Sequence, residues 1–179
     1  MSDSIRLALA HDAAALHRIA EVTFPFACTP ETSGAEQAAY IAQHLSEAAF
    51  AGHLADPARR LLIAVDDEAE QAVGYSVLTT DEPTDPDVVA AIRIRPTVEL
   101  SRMYVHPARH GTGLADRLMS ATLEAARVTG AAGVWLGVSV DNERANAFYA
   151  RHGFAEVGTK RFHLGDRWED DFVRERALG

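Results

Sequence analysis

The chain has 179 residues, of which 47% are hydrophobic and 24% are charged, a composition typical of a folded domain with a sizeable core. Its net charge of −9 disfavours a nucleic-acid partner and makes a cationic partner easier to accept. Cys28 is the only cysteine, which excludes an internal disulfide and a cysteine metal cluster, and no apolar run resembles a membrane span or a signal peptide. We therefore expect a cytoplasmic protein with one domain over residues 1–179 and with no nucleic-acid or membrane partner.

The first third of the chain is predicted to be mainly helical. A strand is predicted at residues 5–9, and a helix begins at Asp12. Ser33 followed three residues later by Glu36 is a capping-box pattern, which starts a second helix. This helix is predicted to end near Asp56-Pro57.

Two apolar runs of strand length follow, at residues 61–65 and 72–78. The stretch between them is short and polar, which predicts a β-hairpin. Residues 80–96 contain three prolines and several acidic residues, so we expect an exposed acidic loop with at most a short strand at residues 88–94.

The central stretch, residues 97–119, combines a strand, a glycine turn and a helix. Apolar and polar residues alternate as far as Leu100, and the alternation then slips, which predicts a β-bulge. Pro107 ends strand pairing, and His110-Gly-Thr-Gly113 forms the turn. The helix after it has apolar residues at helical spacing: Leu114, Leu118, Ala121 and Ala125.

The last third of the chain returns to strands. Residues 133–140 alternate as a strand does, and Gly137 within it suggests a bulge or the close approach of a ligand. Asn142 can cap a short helix, and Gly153 suits the end of that helix. Two strands joined by Gly165-Asp166 are predicted at residues 154–164 and 168–176.

This order of elements predicts an α/β protein with a mixed sheet and helices on both faces. The strand, helix and second strand between residues 98 and 140 should form a right-handed parallel crossover.

The glycine turn has the physical features of an anion site. The first N–H groups of a helix have no partner within it, and the helix dipole places partial positive charge there. Gly111 and Gly113 lack side chains, so an anion such as pyrophosphate can approach these amides closely. A simple tight turn would show the same residues, and this alternative stays open. No Gly-x-x-x-x-Gly-Lys run occurs, and Asp116 stands where a dinucleotide-binding turn needs its third glycine, so both of those nucleotide motifs are excluded.

Two motifs, in this order, resemble the GNAT acyltransferase superfamily. Arg102-Met-Tyr-Val-His-Pro, followed by His110-Gly-Thr-Gly-Leu-Ala, is similar to the family's acyl-CoA motif, Arg/Gln-Gly-x-Gly-x-Gly/Ala. Residues 142–154 are similar to its second motif, Asn-x-x-Ala-x-x-Phe/Leu-Tyr-x-x-x-Gly-Phe. His110 departs from the usual Arg or Gln, so phosphate contact there depends on imidazole charge or on the backbone. The resemblance implies the GNAT fold, a central and mostly antiparallel sheet with a splayed parallel strand pair.

The resemblance further implies that acetyl-CoA is the co-substrate and that no metal takes part. Pantetheine would lie between the splayed strands and pair with the main chain of Met103 and Val105. The Met103 N–H would also donate to the thioester oxygen, and the turn amides would hold the pyrophosphate. The cofactor-binding residues implied are Met103, Tyr104, Val105, His110, Gly111, Thr112, Gly113, Leu114, Ala115, Asn142, Asn146 and Tyr149.

Two residues are implied to be catalytic. Glu99 lies six positions before Val105, where some GNAT members carry a glutamate that accepts the proton of the substrate ammonium. A solvated edge carboxylate is the alternative interpretation of Glu99. Tyr149 matches the family tyrosine that donates to the leaving sulfur, with an aromatic residue packed on the sheet as the alternative. Capping alone would explain Asn142, and a solvated helix face would explain Asn146.

A narrower resemblance concerns the acceptor amine. Trp135-Leu-Gly-Val, the His-Gly pair at residues 110–111, and residues 162–166 with Asp171 after them are similar to the PaiA-type spermidine/spermine N-acetyltransferases. This implies a polyamine or another small cationic amine as substrate. Seven acidic residues could attract it, or could serve only as solubilising charge: Asp81, Glu82, Asp85, Asp87, Glu169, Asp170 and Asp171.

The sequence thus predicts an N-acetyltransferase that transfers acetyl directly to an amine in a ternary complex, because Cys28 is remote in sequence from both motifs. Two alternatives stay open: a GNAT enzyme for an amino acid, an aminoglycoside or a protein N-terminus, and a non-catalytic acyl-CoA-binding module. His106 and His110 are four residues apart, but Pro107 prevents a helical pair, so no metal site is expected. The resemblance allows a homodimer.

Overall fold

The computed structural model describes residues 2–179, apart from the side chain of residue 164. Within these residues the strands are β1 (Asp3–Leu7), β2 (Arg59–Asp66), β3 (Gln71–Thr79), β4 (Thr97–Val105), β5 (Gly133–Ser139), β6 (Ala155–Leu164) and β7 (Arg167–Ala177). The α-helices are α1 (Ala13–Thr23), α2 (Gly34–His44), α3 (Glu47–Ala55), α4 (Pro86–Ala91), α5 (Leu114–Val128) and α6 (Glu143–Arg151). None of the helices in this described part of the chain is both long enough and apolar enough to cross a membrane.

The strands are hydrogen-bonded in the order β1-β2-β3-β4-β5-β7-β6. β1 runs antiparallel to β2, and β7 runs antiparallel to both β5 and β6. β4 and β5 are parallel and are connected by α5, as the crossover prediction required. The predicted mixed and mostly antiparallel sheet with one parallel pair is confirmed.

The chain divides into two compact units. Unit 1 comprises the residues up to Leu78 together with Arg102–Ala125, and unit 2 comprises Thr79–Ser101 and Ala126–Gly179. β4 begins in unit 2 and ends in unit 1. The expectation of a single domain over residues 1–179 stays a prediction.

The core of unit 1 forms where α1, α3, β2 and β3 bury their apolar residues. Leu16 and Ile19 of α1 are buried with Phe50 of α3, and Ile63 and Tyr75 of the strands join the same cluster. The predicted hairpin of β2 and β3 and the apolar face of α5 are both confirmed, since Leu114 and Leu118 are fully buried. β1 begins and ends two residues earlier than predicted.

The predicted single helix before residue 56 is wrong, because the chain breaks it into α2 and α3. The Ser33–Glu36 capping box at the start of α2 is present in both directions, at 3.2 and 2.7 Å. Ser46 then accepts a hydrogen bond from the Ala49 N–H at 3.1 Å and starts α3 as a second cap.

The predicted short strand at residues 88–94 is wrong, because Pro86–Ala91 form α4, whereas the residues on either side of this helix are loop, as predicted. Asp85 caps the helix by accepting from the Asp87 N–H at 2.9 Å, and Pro86 follows at the first turn, where its missing N–H costs nothing. Val88 is fully buried and packs in a cluster with Trp135 and Val173. Burial of one apolar face therefore makes this acidic segment part of the core of unit 2.

Gly137 has a packing role that differs from both interpretations of the sequence. β5 pairs with β7 in continuous register through Gly137, so the glycine does not mark a bulge. A Cβ at this position would overlap the Cε atom of Lys160, which crosses over it from β6. The missing side chain thus makes room for Lys160, whose Nζ lies 3.3 Å from Asp171.

We expect Glu175→Ala to lower the free energy of unfolding by about 2–4 kcal/mol, since two backbone N–H groups lose their acceptor. Glu175 is 6% exposed, and its carboxylate accepts from the N–H groups of Arg93 and Ile94 at 2.9 Å each. These bonds hold the segment that leads into β4. Urea unfolding measures the change, and exposed Glu156→Ala is the matched control, expected within about 0.5 kcal/mol of wild type. Equal stability of the two variants would contradict this role.

Candidate active site

The end of β4 and the glycine turn, both in unit 1, bring most of the predicted cofactor-binding residues into one short stretch. Met103, Tyr104 and Val105 are partly buried strand residues, and Val105 packs against Ala64, Val73 and Leu114. The turn at Gly111–Gly113 is exposed, and Leu114 at the start of α5 is fully buried. One buried side chain therefore fixes the start of α5 while the turn before it faces solvent.

The two glycines of the turn have the backbone conformation that an anion cradle needs. Gly111 and Gly113 have φ values of +78° and +81°, a region in which side chains are strained. No atom lies within 4 Å of a Cβ placed on either residue, so the glycines are needed for conformation and not for packing. The first hydrogen bond of α5 runs from the Arg117 N–H to the Gly113 carbonyl at 3.1 Å. The turn thus presents backbone N–H groups at a helix N-terminus in open space, and a pyrophosphate group fits this site.

Two amides of the turn already have weak internal partners. The Thr112 N–H lies 3.3 Å from the Arg109 carbonyl, and the Leu114 N–H lies 3.4 Å from the Thr112 hydroxyl. The His110 ring lies 3.2 Å from the Val105 carbonyl, which turns the imidazole back towards β4. The N–H groups of Gly111, Gly113 and Ala115 therefore offer the more available donors for an anion.

A buried arginine anchors the turn within unit 1. Arg109 is 8% exposed, donates to Asp3 at 3.2 Å and also donates to Asp66. The N–H groups of residues 68 and 69 and then Arg109 hold the pKa of Asp66 below its usual value. The Arg109 carbonyl accepts a 2.8 Å bond from the Thr112 hydroxyl. The conformation of the glycine turn is thereby tied to β1 and β2.

In unit 2 the start of β4 pairs with β5 over a short ladder. The pairs are Thr97 with Gly133, Val98 with Val134, and Glu99 with Trp135. Both strands continue beyond the last pair, to Val105 and Ser139. Glu99 is partly buried at the end of the ladder, where β5 also carries the buried Trp135.

The second motif of unit 2 forms α6, as predicted. Asn142 caps the helix by accepting from the Ala145 N–H at 3.0 Å. Asn146 donates to the carbonyls of Ser139 and Asn142 at 2.9 and 3.0 Å and accepts from Arg174 at 2.9 Å. The amide group of Asn146 thus joins α6 to β5 and β7, which is a stabilising role that needs no ligand.

Tyr149 is partly buried on α6, and aromatic rings fix its orientation. Its ring lies 5.6 Å from Phe148 and 5.9 Å from Phe154, both in edge contacts. Gly153 ends the helix with a φ of +82°, as predicted, and turns the chain so that Phe154 packs beneath Tyr149. These two ring contacts orient the Tyr149 ring, and a phenylalanine at the same position would keep both of them.

Several of the acidic residues that the sequence offered for a cationic substrate have partners within the chain. Glu82 pairs with Arg95 at 2.7 Å, and Asp85 caps α4. Asp171 lies 3.3 Å from Lys160, and burial raises its pKa while the Lys160 ammonium opposes the shift. These contacts favour a structural role for the three carboxylates.

Sequence reasoning gave no role to Arg102, although it lies inside the first motif. Its guanidinium donates to the Tyr40 hydroxyl at 2.9 Å, across from β4 to α2 within unit 1. The available signal was a basic residue beside the apolar run Met103–Val105 of β4. His106, at which the sequence predicts no metal site, accepts from the Ala108 N–H at 3.1 Å.

Comparison with known proteins identifies the family. A model of the "Acetyltransferase (GNAT) family" matches residues 14–154. An "uncharacterized N-acetyltransferase" of Mycobacterium tuberculosis is 41% identical over 167 residues, which cover 93% of this chain and 98% of the relative. A phosphinothricin N-acetyltransferase of Streptomyces coelicolor is 29% identical over 109 residues, covering 61% and 59% of the two chains.

The fold comparison agrees with the sequence comparison. The crystal structure of the PaiA N-acetyltransferase from Thermoplasma acidophilum in complex with coenzyme A superposes with a TM-score of 0.75 over 99% of each chain, at 19% identity. The glycine turn of this chain suits the diphosphate of the same coenzyme. This protein therefore belongs to the GNAT family and is an acetyl-CoA-dependent N-acetyltransferase.

Proposed function

We propose that the enzyme transfers the acetyl group of acetyl-CoA directly to a primary amine of a small molecule within a ternary complex. The observation that carries the proposal is the left-handed conformation of Gly111 and Gly113 at the start of α5, in open space. The N–H groups of this turn would bind the diphosphate, with those of Gly111, Gly113 and Ala115 as the principal donors. The main-chain groups of Met103 and Val105 would bind pantetheine.

The proposed catalytic groups would act on the substrate ammonium, on the oxyanion that forms from the thioester, and on the departing thiolate. The amine must be neutral to attack, although free amines with a pKa near ~10 are mostly protonated at neutral pH, so Glu99 would accept the ammonium proton. The Met103 N–H would donate to the thioester oxygen as negative charge develops there. Tyr149 would donate its hydroxyl proton to the departing sulfur, and the excess proton of the attacking nitrogen would then restore the phenol, so that a neutral amide and a free thiol leave.

Two acceptor classes have specific support. The PaiA-type resemblance and the similarity to the coenzyme A complex of PaiA favour a polyamine. The relative named phosphinothricin N-acetyltransferase and the position of Arg102 favour an amine that also carries an acidic group. Cytoplasmic location, a homodimer, and the absence of nucleic-acid and membrane partners are further proposals, which cell fractionation, light scattering and binding assays would test.

Thiol release from acetyl-CoA tests the proposed function. The purified enzyme is assayed with polyamines, amino acids, aminoglycosides and peptides, and acetyl-CoA binding is measured in parallel by calorimetry. Amine-dependent thiol release is the expected result. Binding of acetyl-CoA without release in the presence of any amine would favour a regulatory acyl-CoA-binding module.

We expect Glu99→Gln to move the pH–rate profile towards higher pH. Without a base, only amine that is already neutral can react, so the rate at neutral pH should fall about tenfold and approach wild type at alkaline pH. Steady-state rates across the pH range measure this. Glu156→Gln, an exposed carboxylate on β6, is the matched control and should leave the profile unchanged. An unaltered profile in Glu99→Gln would reject Glu99 as the base.

A further inference from the structure

Arg102 is a partly buried cation whose surroundings in unit 1 are neutral. Its guanidinium donates to the Tyr40 hydroxyl at 2.9 Å, and its Cζ atom lies 5.9 Å from the centre of the Tyr40 ring. Within residues 2–179 no carboxylate forms an ion pair with it. Arg109 and Arg6, by contrast, each donate to carboxylates. A guanidinium carries a fork of N–H donors suited to a two-oxygen anion, so most of this donor capacity is left for a ligand.

The guanidinium keeps its charge in this environment. Burial alone would lower the pKa of Arg102, but the phenol groups of Tyr40, Tyr75 and Tyr104 raise it, and the net shift is upward. Burial and the positive charges of Arg59 and Arg102 together lower the pKa of His53. Asp56, which pairs with Arg59 at 3.3 Å, opposes this shift in pKa, so the charge here without a carboxylate partner among the described residues is that of Arg102, and it disfavours a cationic ligand beside it.

A second polar group, the Tyr75 hydroxyl, lies near Arg102. The Tyr75 hydroxyl is fully buried, and the described part of the chain gives it no hydrogen-bond partner. Burial raises its pKa well above the ordinary value, and the nearby Arg102 opposes that shift, so the phenol stays protonated as a donor. Buried polar groups without partners are costly and rare in folded proteins. The Tyr75 hydroxyl is closed to solvent, so the partly buried Arg102 is the donor that an anionic ligand can reach.

The rings around Arg102 hold its partner in place. Tyr40 stacks on Phe24 with ring centres 4.6 Å apart and planes 6° apart, and it contacts His44 at the same distance. Tyr75 contacts Tyr104 at 5.7 Å. The site is thus built from fixed aromatic groups on α2, β3 and β4, which pre-organises it for binding.

We propose that Arg102 binds an acidic group, such as a carboxylate, phosphinate or phosphonate, of the amine that the enzyme acetylates. This inference rests on the proposed function, in which the N–H of the next residue, Met103, receives the thioester oxygen. Arg102 directly precedes Met103 on β4, so an acidic group bound by its guanidinium lies within about one arginine side chain's length of the reacting carbonyl. A small amino acid or an aminoalkyl phosphonate has this short separation of amine and acid, whereas a polyamine has no acidic group.

The test compares acceptors that differ only in the acidic group. Free L-amino acids are assayed against their carboxamides, together with aminoalkylphosphonates and spermidine, on wild type, Arg102→Met and Arg102→Lys. We expect wild type to favour an acid-bearing amine over its amide. Arg102→Met should raise the KM for that amine roughly 30-fold, since charge-assisted hydrogen bonds are lost, and should change kcat/KM for the amide less than threefold. Arg102→Lys should recover part of the loss.

Two further measurements distinguish an error in the proposed role of Arg102 from an error in the proposed function. Acetyl-CoA affinity should be the same in Arg102→Met and in wild type, and the preferred acidic amine should raise the Tm of wild type but not of the variant. Tyr40→Phe, which removes the oxygen that Arg102 contacts, should cost less than Arg102→Met. Efficient acetylation of spermidine, or equal losses for acids and amides in Arg102→Met, would overturn the inference while leaving the proposed function intact. Binding of acetyl-CoA without acetylation of any amine would instead overturn the proposed function.

Discussion

Tyr149→Phe should lower kcat about 100-fold while the affinity for acetyl-CoA stays within about twofold of wild type. The variant loses only the hydroxyl that we propose to protonate the leaving sulfur, and general acid catalysis contributes roughly 100-fold or more. The ring contacts with Phe148 and Phe154 are apolar and are retained by phenylalanine. Stopped-flow turnover and calorimetry of acetyl-CoA binding measure the two quantities separately.

Phe148→Leu separates packing from proton donation at the same place. It disturbs the ring that lies 5.6 Å from Tyr149 without removing a hydroxyl, so kcat should fall only a few-fold. The solvent deuterium isotope effect on kcat should also change in Tyr149→Phe and not in Phe148→Leu, because only the first variant removes a transferred proton. Normal turnover in Tyr149→Phe would remove Tyr149 from the mechanism.

Local signals in the sequence predicted the elements well where the side chain and the backbone group it binds are close along the chain. Ser33 and Glu36 satisfy each other's N–H groups within one turn, so their spacing alone indicated where α2 begins. Gly153 adopts a positive φ for an equally local reason, as the stop after α6. The Asp85-Pro86 cap of α4 is equally local. The prolines and acidic residues around it favoured a loop, so the sequence did not predict this helix.

Other features depend on partners that are distant in sequence. Gly137 is required by Lys160, which reaches it from β6 across β7. The sequence predicted the β6–β7 hairpin but not that β7 lies inside, next to β5. A hairpin pattern is the same whichever of its strands pairs with the sheet, so this order follows only from tertiary packing.

In the candidate site, too, the sequence predicts local features and misses contacts between residues that are distant along the chain. Most of the predicted site residues lie in two short runs, and the resemblance of these runs to the GNAT motifs implies their roles. Arg102 was within one of these runs, yet its contact with Tyr40 joins β4 to α2. The absence of a carboxylate beside a partly buried guanidinium, among the residues that the structure describes, could not be read from composition. This contact is the reason why we propose an acid-bearing amine, and not a polyamine, as the substrate.

The glycine turn yields the second large effect, a loss of about 100-fold in coenzyme A affinity in Gly113→Val. Gly113 has a φ of +81°, where a β-branched residue is strongly disfavoured, so the valine should force the backbone to move and displace the turn amides. Losing two charge-assisted hydrogen bonds at roughly 1.5 kcal/mol each gives about 3 kcal/mol, or ~100-fold in Kd. Calorimetry with coenzyme A measures the change.

Gly130→Val is a matched control for backbone strain. Gly130 has a φ of +85°, and a Cβ placed on it would have no atom within 4 Å, as at Gly113, but it follows the other end of α5. Both variants should lose similar stability in thermal unfolding, while only Gly113→Val should lose coenzyme A affinity. Similar affinities in the two variants would mean that the turn merely connects β4 to α5, because strain alone would then account for both results. A selective loss at Gly113 would instead show that the N-terminal amides of α5 contribute directly to binding.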